Sequence, residues 1–549
     1  MRRRDIYALL LASALPLPAA IAQAQLAPAQ AAPAQPGWEA MLRLAVRLRQ
    51  LEGDGLAPRF YDIPADARAA SDPNGYVAAL YAAALAAMTD LVHGRVIDLP
   101  GRPDLRRDLG RFPMTPWQAA LYASAEPAEV IEKAALQHPE MPALRLALRS
   151  AQARVEAGGF PTIPPGGTLD PGMTDAVRIP ALRARLAAED PVLAAAPDGG
   201  ELYDDVLLEA VRRWQTANWL EPDGRVGPAT QALLNRPAQL RVGQLRVAMD
   251  MRRGAARPPA GRRIEVNIPD YRLRVLDGQR SLLQMNVVVG KPARATPPLV
   301  VRMTAVQFNP PWGVPVRNAT QDLLPRFRRD PRAMMEKGFR VFGTVGGERV
   351  EIDPTTIDWS SVNENSFPYF IRQDAGDSSA LGRLKFIMPN GEDIYLHDTP
   401  DRHLFSRTDR AFSSGCIRLG EPMALLELVL QDIPGWDRAR ADRTLDSRQT
   451  SQISLRNPIP VRLAYETVTV NEGEVRVRPD IYGLDASYLR IMDQRRPVAP
   501  PMAPAVAAAP AGRTAAAAAP ARSPTVARPV PVRGDTPQAA LAAPPVAVQ

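Results

Sequence analysis

The sequence predicts an α+β, multidomain protein: a helical scaffold domain, a small helical domain, and a β-rich domain carrying a helical insertion. Three observations predict it. A chain of 549 residues is too long for one hydrophobic core. Apolar residues recur at helical spacing through residues 38–250, then switch to strict alternation over residues 262–310. Hydrophobic residues make up 46% of the chain and charged residues 23%, enough apolar content for most of it to fold.

From the start of the chain, Arg2, Arg3 and Arg4 precede a short apolar run from Ile6 to Leu17, and Ala22-Gln23-Ala24 fits a small-x-small cleavage site. Residues 1–24 therefore read as a secretory signal peptide. The run is short for a bilayer span, and no other stretch qualifies as a transmembrane helix. The paired arginines match a twin-arginine signal only incompletely, so the export route stays open. Residues 25–37 form a flexible lead. Helical spacing follows at 38–51, 76–92, 116–124, 127–137 and 142–156, with Ala-rich faces suited to close packing, and the helical scaffold domain is placed at 38–190.

Residues 200–250 form the small domain. Val206, Leu207, Ala210, Val211 and Trp214 line one side of a helix at 204–218. Asp223-Gly224 makes a tight turn, Gly227 permits an unusual backbone angle, and Pro228 suits the first turn of a helix at 229–234.

In the β-rich domain, 262–490, Ile264, Val266 and Ile268 alternate, as do Tyr271, Leu273 and Val275. The Asp277-Gly278 turn separates these from strands at 282–289 and 303–308. An insertion at 317–380 breaks the pattern, with helices expected at 319–328 and 331–338. Strands return at 384–388 and 393–397, a helix follows at 422–430, and strands at 461–470 and 474–478 close the folded part near Leu489. Residues 496–549 are rich in Pro, Ala and Val with Asp535 as their only acid, a composition expected to be disordered.

The formal charge is +8, a basic balance compatible with nucleic acid, anionic lipid or an anionic polymer. The basic residues are scattered and no Lys/Arg block is interleaved with aromatics, which argues against nucleic acid. There is no HExxH, no Cys/His ligand spacing and no convincing glycine-rich nucleotide loop, so no metal and no cofactor are expected. His93 and His138 lie beside no acidic or Cys-rich cluster and read as surface or core residues.

The chemistry concentrates around the one cysteine, Cys416. It cannot form an intramolecular disulfide, and in an oxidising compartment a free thiol is a liability unless buried or used. The relevant stretches are Tyr395-Leu396-His397-Asp398-Thr399-Pro400 and Ser413-Ser414-Gly415-Cys416-Ile417-Arg418-Leu419. Alternation in the strand at 393–397 sends Ile394 and Leu396 to the core and puts Tyr395 and His397 together on the other face. Gly415 lets the backbone bend before Cys416. A thiol of ordinary pKa, about 8.5, becomes a good nucleophile when a histidine takes its proton. The chain has four histidines; His397 lies at a strand end before Cys416, and His403 lies between them. A reversal across 398–415 could bring His397 and Cys416 within hydrogen-bond reach. The N–H groups of the Ser414-Gly415-Cys416 turn could hold an oxyanion, and Arg418 would place a positive charge suited to a substrate carboxylate. On spacing alone, a chance histidine and a buried core cysteine remain the alternative.

The stretch resembles the signature of the L,D-transpeptidase catalytic domain (YkuD type): a histidine, a spacer, then Ser-His-Gly-Cys with Asn or Arg two residues on. His397, Ser413, Gly415, Cys416 and Arg418 match, and Ser414 stands where the common signature has a second histidine. The Ser-Ser-Gly-Cys form resembles a YcbB-like branch, as do Val266–Leu273, Phe308–Trp312 and Ala380–Phe386. Residues 200–250 are similar to a small peptidoglycan-binding domain through Ala210-Val211-x-x-Trp214-Gln215 and Asp223-Gly224-x-Val226-Gly227-Pro228-x-Thr230. Trp214, Asp223, Gly224 and Gly227 are its candidate binding residues; the alternative is that Trp214 is core and the Asp-Gly turn only shapes the loop.

The resemblance implies that Cys416 attacks the carbonyl of the third, diamino-acid residue of a peptidoglycan stem. D-Alanine leaves, and the thioester passes to the side-chain amine of a second stem. His397 would act as base and then acid, oriented by a neighbouring backbone carbonyl. Ser414, Gly415, Arg418 and Tyr395 would serve the oxyanion or position substrate, and Asp398 is a candidate by position only. The implied partners are peptidoglycan stem peptides and glycan, with other wall-synthesis proteins possible. The leader implies a periplasmic location, and the insertion resembles a lid. Two other readings stay open: a hydrolase of the same fold acting on stems or wall-linked protein, and a non-catalytic wall-binding structural protein.

Overall fold

Helical and alternating spacing build separate layers in the computed structural model, which describes residues 36–218 and 220–495. The signal peptide at 1–24, nearly all of the lead and the tail at 496–549 lie outside the described residues.

The N-terminal layer contains helices Trp38–Arg49, Pro73–His93, Met114–Ala123, Pro127–Ala135 and Met141–Glu156. Pro73 opens the longest of these, and the Asp72 side chain accepts the Gly75 N–H at 2.9 Å, satisfying a donor that the first turn leaves orphaned. This helix is long and apolar enough to cross a membrane by length and composition, contrary to the sequence reading; half of its apolar window is buried inside the molecule. Leu80, Ala84, Ala87, Met88 and Leu91 pack there against Met41, Leu44 and Leu48 of the first helix.

The core memberships depart from the boundaries read from sequence. Ile163, Leu169, Ile179, Leu182 and Leu186 share one small core with Tyr203, Leu207, Val211, Trp214 and Leu234, so helix Arg178–Ala187 belongs with the small domain. Helix Ala238–Arg252, assigned to 200–250, instead packs Leu245, Ala248 and Met249 against Met141, Leu144 and Leu148. Helix Leu484–Met492 closes back on the helical layer, with Tyr488 and Met492 in its core. Arg95 fastens this return: it pairs with Asp90 at 2.8 Å and donates to the carbonyls of Met492 and Gln494 at 2.7 and 2.6 Å.

The second half forms a nine-stranded sheet from β1 (Arg262–Asn267), β2 (Arg272–Asp277), β3 (Arg280–Gly290), β4 (Leu299–Phe308), β9 (Leu384–Ile387), β10 (Leu396–His397), β11 (Ala411–Ser413), β12 (Ile417–Leu419) and β13 (Ser451–Ala464). Its order is β11-β3-β12-β10-β9-β4-β13-β1-β2, and β2 also pairs with β3, so the order returns on itself. Ile264, Val266, Leu273, Val275, Val287, Val306, Phe386 and Leu396 fill its interior, with Leu425, Leu426 and Val429 of helix Pro422–Leu430.

Two strand readings change. The strand at 393–397 shrinks to the two residues of β10. Asp393 adopts φ +53°, and the Asn390 side-chain oxygen accepts the Ile394 N–H at 3.1 Å, removing it from the ladder. The strand at 461–470 divides: β13 begins at Ser451, shifts register between Ser454 and Ile459, where Pro458 cannot donate, and ends at Ala464. The chain resumes in the hairpin β14 (Val468–Asn471) and β15 (Glu474–Val477).

The insertion has its own core of Leu324, Phe327, Met334, Phe339, Val341, Trp359 and Ile371, with the Phe327 and Trp359 rings stacked 4.4 Å apart. Helices Leu324–Arg329 and Pro331–Glu336 break at Asp330, whose side chain caps the second through the Ala333 N–H at 2.9 Å. The sequence reading missed its sheet. β5 (Trp312–Gly313), β6 (Phe339–Val345), β7 (Glu348–Ile352) and β8 (Phe370–Gln373) pair in the order β5-β8-β6-β7.

Candidate active site

Strand register assembles the site. β10 and β12 run parallel, with Leu396 beside Ile417 and His397 beside Arg418. The Ile417 N–H donates to the Tyr395 carbonyl at 3.1 Å, which brings Tyr395 alongside Cys416 one step earlier. On the other side of β10, His397 pairs with Lys385 of β9. Leu384, Phe386, Leu396 and Ile417 point into the core, so Lys385, Tyr395, His397, Cys416 and Arg418 share the opposite face.

The cysteine turn is fixed from within. Gly415 has φ +120°, and a Cβ there would lie 3.2 Å from Ile394 Cδ1. Ser413 Oγ donates to the Cys416 carbonyl at 2.5 Å and accepts the Gly415 N–H at 3.1 Å. Thr296 Oγ1 donates to the Gly415 carbonyl at 2.7 Å. The Gly415 N–H, one of the donors foreseen for an oxyanion, is thus committed to Ser413. Ser414 also has a different role from the one expected. Its hydroxyl accepts from Arg294 Nη1 at 2.8 Å and Asn318 Nδ2 at 3.0 Å. Arg294 in turn pairs with Asp322, and Asn318 donates to the same carboxylate at 3.0 Å. The root of the insertion is therefore tied to the residue immediately before Gly415-Cys416.

His397 is 4% exposed. Its Nδ1 lies 2.5 Å from the Asp398 carbonyl oxygen; because a carbonyl only accepts, Nδ1 carries the proton and Nε2 keeps its lone pair. Burial, and then the Arg418 charge, push the imidazole pKa down to about 3, so the ring is neutral at physiological pH. The Asp398 carboxylate faces elsewhere, accepting the Arg383 and Thr399 N–H groups at 2.9 and 2.7 Å and pairing with Arg402 at 2.6 Å.

Cys416 is half-buried. Burial raises its thiol pKa, while the Tyr395 N–H and hydroxyl, and then the Lys385 charge, oppose that rise. Its Sγ is directed at the Asp393 carbonyl, 3.6 Å away. Among the described residues no hydrogen bond joins Cys416 to His397. The reversal places them as diagonal neighbours on adjacent strands, short of the direct contact expected from sequence. The Tyr395 and His397 rings meet edge-on, 5.6 Å between centroids. Arg418, expected to await a carboxylate, is paired with Asp401 at 2.7 Å. His403 is exposed on the short helix Arg402–Ser406.

Lys385 was not singled out by sequence reasoning. Its Nζ sits 3.9 Å from the centroid of the Tyr395 ring. The available signal was only its outward place between the inward residues Leu384 and Phe386 of a strand. Arg294 and Asn318 gave no sequence signal, because only the fold brings them to Ser414.

In the small domain the four candidate binding residues serve structure. Trp214 is 8% exposed, with Nε1 donating to Glu189 at 3.3 Å. Asp223 accepts from Gln215 Nε2 and the Arg225 N–H, both at 2.8 Å. The unusual backbone angle belongs to Gly224, φ +75°, where a Cβ would collide with Leu208; Gly227 has an ordinary φ of −80° and precedes Pro228. Elsewhere, a cavity of about 710 Å³ opens between the helical layer and the sheet, lined in part by Arg106, His138, Arg252, Arg257 and Glu466; it includes none of the residues around Cys416. Among the described residues no group of three or more His, Cys, Asp or Glu could hold a metal ion.

A thiol and a neutral imidazole whose Nδ1 carries the proton, on one face of neighbouring strands, make a site suited to cysteine-based acyl chemistry. Residues 261–438 match the family described as the L,D-transpeptidase catalytic domain, and residues 181–234 match a "Putative peptidoglycan binding domain". A "Putative L,D-transpeptidase" of Haemophilus influenzae is 40% identical over 240 residues, which cover 44% of this chain and 48% of the relative. The chain thus spans about half the length of the curated relative it matches. Two solved structures are also similar. An L,D-transpeptidase from Mycobacterium smegmatis is 16% identical, covering 37% of this chain and 58% of that one, with a TM-score of 0.18. An L,D-transpeptidase from Xylanimonas cellulosilytica is 15% identical, covering 55% and 99%, with a TM-score of 0.17.

Proposed function

We propose that this protein is an exported, periplasmic L,D-transpeptidase that cross-links peptidoglycan stems through a Cys416 thioester. The observation that carries this reading is a thiol and a histidine on one face of neighbouring strands, the histidine Nδ1–H held by a backbone carbonyl, in a stretch that matches that family.

In the proposed reaction, Cys416 Sγ swings from Asp393 toward His397, and Nε2 takes its proton. The sulfur attacks the carbonyl carbon of the third stem residue. As the C–N bond to the terminal D-alanine breaks, the leaving nitrogen takes the proton from His397, leaving a thioester. The side-chain amine of a second stem attacks the thioester carbonyl and gives a proton to Nε2. The C–S bond then breaks, and the proton returns to the sulfur. The Tyr395 hydroxyl, beside the thiol, is placed to donate to charge developing at the sulfur or the carbonyl oxygen. The small domain, which matches a peptidoglycan-binding family, would bring the enzyme to the wall through residues other than Trp214 and Asp223, which are bonded internally.

The same thioester could be resolved by water, giving trimming of stems. Incubation with disaccharide-tetrapeptide, read by mass spectrometry, decides. Cross-linked dimer is the expected product; trimmed monomer alone supports the hydrolase, and unchanged substrate removes the catalytic reading.

A further inference from the structure

Cysteine–histidine sites commonly stabilise the thiolate with an imidazolium, but His397 is buried, neutral and turned toward a backbone carbonyl. The charge must come from another group. The candidates facing Cys416 can be enumerated. From β10 and its approach come Asp393, which is anionic, and Tyr395 and His397, which are neutral. On its own strand Arg418 is paired with Asp401. From the insertion root, Arg317 donates to the Ser414 carbonyl at 3.4 Å, and Arg294 is consumed by Asp322, Gln321 and Ser414. From β9 comes Lys385, the register partner of His397, with its ammonium 3.9 Å from the centroid of the Tyr395 ring that adjoins the thiol.

We propose that Lys385 supplies the fixed positive charge that stabilises the Cys416 thiolate, held in place by the face of Tyr395. The assignment rests on the proposed cysteine chemistry and adds a positioning cation to it. Lys385 forms no ion pair among the described residues that would divert its charge. A cation on an aromatic face keeps its location without a carboxylate to neutralise it. Desolvation lowers the Lys385 pKa, whereas the nearby Cys416 and Asp393 charges raise it, so thiolate and ammonium favour each other. In this arrangement His397 transfers protons and Lys385 holds charge, two roles that one imidazolium would otherwise combine.

The chain has a single cysteine, so alkylation of the intact protein reports on Cys416 alone. Iodoacetamide alkylation, followed by mass spectrometry from about pH 6 to about pH 11, follows the titration of a thiol whose pKa burial raises. Lys385→Met and Lys385→Gln should each raise the midpoint by about one pH unit or more, and slow alkylation near pH 8 roughly tenfold. Lys385→Arg should keep the midpoint close to that of the wild type. An unchanged midpoint in either neutral variant that melts like the wild type overturns the proposal. So does an Arg variant that behaves like Met and Gln, because packing rather than charge would then be at work. The readout needs no stem peptide. A normal midpoint shift with no dimer or trimmed product would therefore overturn the transpeptidase reading while leaving Lys385 in its role.

Discussion

His397 Nδ1 lies 2.5 Å from the carbonyl oxygen of Asp398, the residue that follows it, while the Asp398 carboxylate points away to Arg383, Thr399 and Arg402. The third group orienting the imidazole is therefore main chain, and it survives any side-chain substitution at 398. The carboxylate instead braces the approach to β9, where a Cβ on Gly382 would lie 2.5 Å from it.

This separation predicts opposite phenotypes for neighbours. His397→Ala should lower turnover about 10²–10⁴-fold, the usual cost of a lost general base, with a melting temperature near that of the wild type. Asp398→Asn should retain most turnover but lose stability on the order of 1–3 kcal/mol, because an amide cannot accept every donor now satisfied. His403→Ala, on an exposed helix, should change neither. If Asp398→Asn lost turnover as severely as His397→Ala at unchanged stability, the carboxylate would have a chemical role that the backbone bond does not explain.

Cys416→Ser should fold and lose activity, because the hydroxyl is far harder to deprotonate than the thiol. A carbapenem, which by family resemblance acylates this cysteine, should add its mass to the wild type and not to the Ser variant. An adduct on the Ser variant would place the nucleophile elsewhere.

The depressed His397 pKa also has a consequence for stability. The folded ring titrates at about 3 and the unfolded one near 6.5, so between these values the unfolded chain binds the extra proton. This contribution is fully present above about pH 6.5 and is lost as the pH falls toward about 3. Thermal melts of the wild type should decline over that window, and His397→Gln should decline less steeply. Parallel declines would mean that the ring is not buried neutral.

Much of this site was legible in the sequence because strand alternation is local. Ile394 and Leu396 turn inward, and Tyr395 and His397 share a face, as the alternation requires. The rest depended on distant register. Nothing local to Lys385 shows that β9 lies beside β10, and nothing local to Arg294 shows that it reaches Ser414. The insertion sheet did leave a signal: Phe339 and Val341 alternate with Arg340 and Phe342, and Gly346-Gly347 marks the turn into β7. It was masked by the charged helices preceding it. In the small domain, one glycine of positive φ was foreseen and placed three residues late, at Gly227 rather than Gly224, because an Asp-Gly turn and a helix-opening Gly-Pro look equally special in sequence.

The insertion gives the last prediction. Its core around Phe327, Trp359 and Ile371 is separate from that of the main sheet, so its outer part can be removed without opening the sheet interior. Its root is a different matter: Asp322 holds Arg294, and Arg294 and Asn318 both donate to Ser414 beside the nucleophile. Replacing residues 324–369 with a short Gly/Ser linker keeps that root. If the outer part is a lid, the variant should still be acylated at Cys416, while its products shift from cross-linked dimer toward trimmed stem, because water now competes for the thioester. Arg294→Ala should act differently. It removes the cation from Asp322, leaves Ser414 with Asn318 alone and loosens the turn before Cys416, so the acylation rate itself should fall, by roughly tenfold. Both variants can be compared by carbapenem acylation rate and by the ratio of dimer to trimmed product. A deletion that folds and keeps the wild-type ratio would rule out the lid, and an Arg294→Ala protein acylated at the wild-type rate would show that the root plays no part in positioning the thiol.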